Sequence, residues 1–250
     1  MSLCVKSSQE WNKESLKTKK FLWEKSEKIL QNLTYNRTLK THYPPPDNLK
    51  IFGTFVGGGG STMGYKLAGF HHLWGVEIDP KMAKVYQKNH QPKHFFLEDI
   101  RDFNLRENLP KELFDLDILD GSPPCSTFSM SGHREQTRGK EKIFKEGQKK
   151  QILDELVFVF CETVKKLLPK VVIMENVPGL IAGQAKKYAI EVYDRLNNLG
   201  YKVQLFRLNA ATMGVPQARE RIFCIARKKQ FNWDDLELDF NEAPIYFGDV

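Results

Sequence analysis

The sequence predicts an α/β protein with a mostly parallel, doubly wound sheet and an N-terminal helical extension. Short apolar segments of strand length alternate with longer helix-like segments from residue 49 onwards. A glycine-rich loop follows the first apolar segment and leads into a helix. The chain has 250 residues, of which 41% are apolar and 28% charged, so it fits one globular domain and is not disordered.

Residues 1–48 are predicted to form a separate N-terminal segment. Leu16, Trp23 and Leu30 recur at helical spacing within residues 9–33, which predicts a basic amphipathic helix. Three consecutive prolines within residues 43–47 then favour extended backbone and indicate a linker. The main domain is therefore expected to begin at residue 49.

Residues 49–229 are predicted to form the main domain, in which strands and helices alternate. Strands are expected at 51–56, 73–78, 94–97, 114–119, 171–174, 202–207 and 222–226. Helices are expected from residue 62 and over 80–89, 153–167 and 185–199. Ligands of such a sheet bind at the carboxyl ends of the strands, so the chemistry is expected in the loops that follow them.

Positive charge is distributed unevenly along the chain. The net charge is +7, and residues 126–150 carry seven Lys/Arg against three Asp/Glu. Residues 1–50 carry ten against five, whereas the predicted tail at 230–250 carries six acidic side chains and no basic one. This distribution permits a nucleic-acid partner, because a polyanion could dock where the basic residues cluster.

The cysteines and the apolar segments exclude several classes of protein. The four cysteines, Cys4, Cys125, Cys161 and Cys224, show no Cys-x-x-Cys spacing, so neither a metal site nor a disulfide framework is predicted. No apolar run approaches the roughly 18 residues of a membrane span. No signal peptide follows Met1, so a cytoplasmic protein without a membrane partner is expected.

The first candidate site is the glycine-rich loop at 55–64. Its glycines at 57–60 allow backbone N–H groups to approach a ligand at a helix N-terminus. Glu77 and Asp99 end the next two strands, where their carboxylates suit the ribose and the amino group of an adenosine ligand. The alternative is a tight strand-to-helix turn beside two helix-capping acids.

The second candidate site is Cys125, in the loop after the fourth strand. The sequence Asp-Gly-Ser-Pro-Pro-Cys at 120–125 places the thiol beyond the strand end, in a turn stiffened by two prolines. A nucleophile would face a ligand crevice there, and the basic residues that follow could favour the thiolate. An inert, buried cysteine is the alternative.

Two later segments complete the candidate site. Glu175 follows the strand at 171–174 and could exchange a proton with a substrate. Gln217, Arg219 and Arg221 alternate in a segment that runs into the last strand. If this segment is a strand, the three side chains point to one face and form a fork for a phosphate or a base carbonyl. Helix capping by Glu175 and ordinary solvated charges for the other three are the alternatives.

These motifs, in this order and spacing, resemble those of the DNA cytosine-5 methyltransferases over roughly residues 50–228. They read Phe55-x-Gly-x-Gly-Gly, Glu77, Asp99, Pro124-Cys125, Glu175-Asn176-Val177 and Gln217-x-Arg219-x-Arg221. The resemblance implies the Rossmann-like fold of methyltransferases that depend on S-adenosyl-L-methionine (SAM). It also implies SAM as cofactor and double-stranded DNA as substrate.

The resemblance further implies a role for each motif residue. The cofactor would be bound by Phe55, Gly57, Gly58, Gly59, Gly60, Glu77, Ile78, Asp99, Ile100 and Pro124. The catalytic residues would be Cys125, Glu175, Arg221 and Arg219, and the substrate would also contact Pro124, Asn176 and Gln217. Cys125 would attack carbon 6 of a cytosine flipped out of the duplex, and Glu175 would protonate or hydrogen-bond ring nitrogen 3. The basic segment at 131–150 would close over the flipped base.

One departure from the family bears on how the protein works. Only 29 residues follow Arg221, where the family normally carries a long target-recognition region and a last helix. We therefore expect a second polypeptide to supply the recognition region. Two other interpretations stay open, namely a non-catalytic relic that binds SAM or DNA, and an enzyme acting on single-stranded or free pyrimidine substrates. A restriction-modification setting is expected from the family alone.

Overall fold

The computed structural model describes residues 49–124, 155–238, 240 and 242–246. The predicted helix at 9–33, Cys125 and the basic segment at 131–150 lie outside the described residues. The division of the chain into segments 1–48, 49–229 and 230–250 stays a prediction.

The described residues form one seven-stranded sheet. Its strands are β1 Lys50–Thr54, β2 His71–Glu77, β3 His94–Leu97, β4 Ile118–Gly121, β5 Val171–Asn176, β6 Tyr201–Asn209 and β7 Glu220–Lys228. Their order across the sheet is β3-β2-β1-β4-β5-β7-β6. β7 is antiparallel to both neighbours, and the other pairs are parallel. The prediction of a mostly parallel α/β sheet is therefore confirmed.

The strand order places a crevice between β1 and β4. From β1 the chain proceeds outward to β2 and β3, and it then crosses back to β4 on the other side of β1. Loops that leave β1 and β4 consequently diverge to opposite sides, which opens the crevice where this class of sheet binds its ligands. The glycine-rich loop leaves β1 and the Pro-Pro turn leaves β4, so both candidate sites lie at this position.

Five α-helices connect the strands within the described ranges. They are α1 Gly60–Leu67, α2 Pro80–His90, α3 Ile100–Leu105, α4 Leu156–Leu167 and α5 Lys186–Asn198. The predicted helices agree with these bounds to within a few residues, but α3 was not predicted, because six residues are too few to show a periodic apolar pattern. None of the helices in the described part is both long and apolar enough to cross a membrane.

One continuous apolar core lies between the sheet and α3, α4 and α5. Phe52, Trp74, Leu119 and Val172 contribute from the strands, and Phe160 of α4 is fully buried among them. The apolar residues of α4 recur at helical spacing, so one face of the helix is buried. This packing fixes the central strands, and the loops at their carboxyl ends therefore start from a rigid base.

Candidate active site

The glycine-rich loop adopts backbone conformations that few other residues tolerate. Gly57 and Gly59 have φ angles of +51° and +92°. Phe55 is also in the left-handed region, at φ 55°, which is uncommon for a residue with a large side chain. Strained backbone of this kind is typical of functional loops, because it persists only where the surrounding structure holds it in place.

Glu77 holds the loop in place. One oxygen of its carboxylate, Oε2, accepts a hydrogen bond of 2.8 Å from the Gly57 N–H. The other, Oε1, accepts bonds of 2.9 Å from the Ile78 and Asp79 N–H groups. The structure thus brings Glu77 and the glycine loop together across β1 and β2, as the sequence predicted. The assignment of Glu77 to a ribose stays a prediction.

His90, which the sequence analysis missed, packs against the glycine-rich loop at Gly59. Its side chain is only 5% exposed and packs against Gly59, so that a Cβ at this position would overlap the imidazole. Burial lowers the pKa of His90, and the nearby Lys66 charge lowers it further, so the ring is neutral at neutral pH. No short-range pattern distinguishes this histidine, because its partner lies some thirty residues earlier in the chain.

The glycine loop leaves room for a ligand on its outer side. A Cβ built on Gly57, Gly58 or Gly60 would meet no other atom within 4 Å. A bound ligand could therefore approach the backbone of the loop at the N-terminus of α1, since the start of a helix favours contact with oxygen atoms. The residues present fit a nucleoside-containing cofactor.

Asp99 and Ile100 are used within the protein itself. The Asp99 carboxylate caps α3 by accepting a 2.8 Å bond from the Arg101 N–H, and the Arg101 guanidinium contacts it at 3.2 Å. This is the helix-capping alternative that the sequence left open. Ile100 is only 4% exposed and belongs to the core. Contact of either residue with an adenine ring stays a prediction.

The Pro-Pro turn is tied to the end of β5. The Asn176 side chain is 3% exposed and donates a 3.2 Å hydrogen bond to the carbonyl of Pro123. Asn176 therefore anchors the Pro-Pro segment that precedes Cys125 in the sequence. Its predicted contact with the substrate, and that of Pro124, stay predictions.

Two other cysteines are poor candidates for the nucleophile. Cys161 and Cys224 are 2% and 1% exposed. Burial raises the pKa of each thiol to about 12. Neither forms appreciable thiolate at neutral pH, so neither is reactive in the folded protein.

Glu175 and Arg221 form an ion pair at the carboxyl end of β5. The Arg221 Nε lies 2.7 Å from Oε1 of Glu175, and the side chains are 22% and 28% exposed. They meet because β7 is antiparallel to β5, so that β7 begins where β5 ends. The partly exposed pair can therefore present both a carboxylate and a guanidinium to a substrate.

The predicted alternation of Gln217, Arg219 and Arg221 along one strand is wrong. β7 begins at Glu220, so only Arg221 lies in the strand. Gln217 and Arg219 are exposed and belong to the irregular segment before it. That segment is anchored through its backbone instead, because the Arg219 N–H donates to Oδ1 of Asn209. The functional assignments of Gln217 and Arg219 stay predictions.

The sequence analysis also missed Asp120, the third residue of β4. Tyr65 of α1 donates a 3.1 Å hydrogen bond to its Oδ1. The pKa of the Asp120 carboxyl is raised to about 7, mainly by burial and further by the nearby Glu175 carboxylate, while the hydrogen bonds from Tyr65 and Ser61 oppose this increase.

No group of acidic, histidine and cysteine side chains in the described part of the chain is arranged to hold a metal ion.

Replacing Asp120 by asparagine should make the protein more stable at alkaline pH. The carboxyl ionises near pH 7 in the folded protein, but near pH 4 in an unfolded chain. Between these values the folded state holds one more proton, so this group lowers the free energy of unfolding as pH rises. The variant should gain about 2 to 4 kcal/mol at pH 8, because one pKa unit corresponds to about 1.4 kcal/mol. Denaturant unfolding between pH 4 and 8 measures the gain, and a gain independent of pH would contradict the assignment.

Comparisons with known proteins agree with this geometry. The model of the C-5 cytosine-specific DNA methylase family matches residues 49–246. The Type II methyltransferase M1.HphI of Haemophilus parahaemolyticus is 36% identical over 201 residues, which are 78% of this chain and 49% of that protein. The Type II methyltransferase M.AquIA of a Picosynechococcus strain is 31% identical over 199 residues, which are 72% of each protein.

The chain spans about half the length of the first relatives it matches, with 49%, 41% and 51% of their sequences covered. Among solved structures, a putative DNA modification methyltransferase encoded within an Escherichia coli prophage has a TM-score of 0.58 at 23% identity. The match covers 76% of this chain and 49% of that one. At this identity the likeness shows a shared fold.

Proposed function

Because the chain belongs to the C-5 cytosine-specific DNA methylase family, we propose that it transfers a methyl group from SAM to carbon 5 of cytosine in DNA. The observation that carries the proposal is the Glu175–Arg221 ion pair. It lies at the same edge of the sheet as the glycine loop and the Pro-Pro turn. A relic that only binds a ligand has no physical need for such a partly exposed pair beside both loops.

The cofactor would be held by the glycine loop, Glu77 and the ends of β2 and β3. The loop offers backbone N–H groups at the start of α1, and the Glu77 carboxylate can accept a hydrogen bond from a ribose hydroxyl. The open space beside Gly58 and Gly60 supports this assignment. SAM, when bound, supplies a methyl group attached to a positively charged sulfur.

Cytosine needs activation, because its carbon 5 is too electron-poor to attack a methyl group unaided. In the proposed mechanism the Cys125 thiolate adds to carbon 6, and the ring becomes an enamine whose carbon 5 is nucleophilic. Glu175 protonates or hydrogen-bonds ring nitrogen 3, and Arg221 contacts the carbonyl oxygen. After carbon 5 gains the methyl group, a base removes its proton, the electron pair restores the ring double bond, and the thiolate leaves carbon 6.

The base must leave the duplex before Cys125 can reach it, which costs a few kcal/mol of stacking and pairing. The basic residues at 126–150 are suited to phosphate contacts, which position a protein on DNA without reading its sequence. Sequence readout instead needs side chains in a groove.

We assign that readout to a second polypeptide. The acidic segment at 230–250, with six acidic and no basic side chains, is unsuited to contact DNA.

The purified chain should methylate random-sequence duplexes inefficiently and with little sequence preference. Bisulfite sequencing of the products measures both properties, and a Glu175→Gln variant is the matched control, because it keeps the shape of the side chain but removes its charge. Efficient methylation of one short motif by this chain alone would contradict the need for a second polypeptide. Preferential methylation of single strands or free nucleotides would favour the alternative substrate class, and SAM binding without any methylation would favour a relic.

A further inference from the structure

Helix α1, which follows the glycine loop, is held by side-chain hydrogen bonds on two sides. Thr62 and Tyr86 of α2 are bonded through their hydroxyls at 3.1 Å. Tyr65, three residues further along α1, donates to Oδ1 of Asp120 at 3.1 Å. The first bond ties α1 to the neighbouring helix α2, whereas the second ties it to strand β4.

Asp120 lies in a part of β4 that has little freedom to move. Its carbonyl oxygen accepts a 3.0 Å bond from the Thr54 hydroxyl of β1. The next residue, Gly121, is so closely packed that a Cβ there would overlap Thr54 and Phe160. β4 is also paired on both edges, with β1 and β5. A hydrogen bond to Asp120 therefore connects α1 to a rigid point of the sheet.

The same strand leads directly into the Pro-Pro turn and Cys125. The Asp120 carboxyl is hydrogen-bonded by Tyr65 and Ser61 of α1 and by the Gly121 N–H. It also interacts electrostatically with Glu175 of β5 and Tyr86 of α2. The carboxyl thus lies between the helix that begins at the cofactor loop and the strand ends that carry the proposed catalytic groups. Two side chains of α1 therefore bond the same carboxyl of β4, the Tyr65 hydroxyl at 3.1 Å and the Ser61 side chain.

We propose that the Tyr65–Asp120 hydrogen bond is a positioning device that sets the separation between the bound methyl donor and the cytosine attached to Cys125. The inference rests on the proposed function. Tyr65 and Asp120 are positioning residues: they fix α1 and its glycine loop relative to the turn that presents the nucleophile. Loss of the bond leaves the contacts of Glu77 with the loop intact, so cofactor affinity should be largely retained.

The expected effect is a loss of rate at nearly unchanged affinity. A misplacement of about 1 Å between reacting groups can reduce a rate about 100-fold. Tyr65→Phe removes the donor, and Asp120→Ala removes the acceptor. Each should lower the single-turnover rate of methyl transfer by roughly 10-fold to 100-fold. The dissociation constant of SAM should change by less than about threefold, since a bond that positions the bound donor adds little to its binding.

Three further variants separate positioning from a general structural role. Asp120→Asn keeps an oxygen that accepts the Tyr65 hydroxyl and should restore most of the rate. The double variant Tyr65→Phe/Asp120→Ala should lose no more than Asp120→Ala alone, because loss of the acceptor already removes the Tyr65 bond. Tyr86→Phe, the matched control, removes the Thr62–Tyr86 bond of α1 and should leave the rate close to that of the parent.

The measurements are single-turnover transfer from labelled SAM to cytosine-containing DNA, and calorimetry of SAM binding. The inference is overturned if Tyr65→Phe transfers at the parent rate, or if rate and affinity fall together in the Tyr65 and Tyr86 variants alike. If the parent protein binds SAM but transfers no methyl group to any cytosine substrate, the proposed function fails first and the inference fails with it.

Discussion

Replacing Cys125 by alanine should abolish covalent trapping of DNA that contains 5-fluorocytosine. In 5-fluorocytosine a fluorine atom replaces the hydrogen that a base normally removes from carbon 5. The elimination step therefore stalls, and the protein stays bonded to carbon 6. Mass spectrometry of the adduct locates the bond. Methyl transfer to ordinary cytosine should fall by roughly three orders of magnitude or more, the scale on which loss of a nucleophile acts. Cofactor affinity should be unchanged.

The buried cysteines provide the control for this experiment. Cys161→Ala and Cys224→Ala should still be trapped, because their burial already prevents thiolate formation. Cys125→Ser should resemble Cys125→Ala, since a hydroxyl ionises far less readily than a thiol. Trapping that persists in Cys125→Ala, or a bond located at Cys161 or Cys224, would show that the nucleophile has been misassigned.

Replacing Gly59 by alanine should greatly weaken cofactor binding. The backbone at Gly59 has φ +92°, and the new Cβ would overlap the imidazole of His90. The strain alone costs about 1 to 3 kcal/mol. The overlap must also displace either the histidine or the loop. We expect at least a 30-fold loss of SAM affinity, which corresponds to about 2 kcal/mol at roughly 1.4 kcal/mol per factor of ten. Calorimetry measures the affinity, and thermal unfolding reports whether the fold persists.

Two variants test the cause of this loss. Gly64 lies in α1, and a Cβ added there would meet open space. The Gly64→Ala variant should therefore bind SAM normally and be slightly more stable, since alanine is more favourable than glycine within a helix. Gly59→Ala/His90→Ala removes the overlap but not the φ strain, so it should recover part of the lost affinity. If Gly59→Ala binds SAM as tightly as the parent, the glycine loop is not the cofactor site.

Most strands could be predicted from the sequence because they are short, mainly apolar runs, and at 94–97 the predicted and observed bounds agree. Glu77 could be placed beside the glycine loop because parallel strands bring their carboxyl ends together. The start of β7 could not be predicted, since an alternation of polar residues such as that of Gln217 and Arg219 occurs in irregular segments as well.

The residues that sequence analysis missed act through partners far along the chain. His90 contacts a loop about thirty residues before it, and Asp120 is bonded to a tyrosine 55 positions earlier. Neither belongs to a local motif. Asp99 illustrates the converse, because its position after a strand was predicted correctly. The choice between cofactor contact and helix capping, which the sequence left open, depends on α3, and α3 is too short to leave a periodic signal.

The position of β4 has a consequence for the order in which the protein folds. Most strands pair with neighbours close in sequence, as β6 does with β7 across a short connection. β4 has only distant partners, since Asp117 at its base is bonded to Lys50, 67 positions earlier, and to Lys170, 53 positions later. Closing such long loops is entropically costly and slow, so long-range pairing follows local pairing. The central strand should therefore be inserted late, and the nascent polypeptide acquires its reactive crevice only after both flanking parts of the sheet have formed.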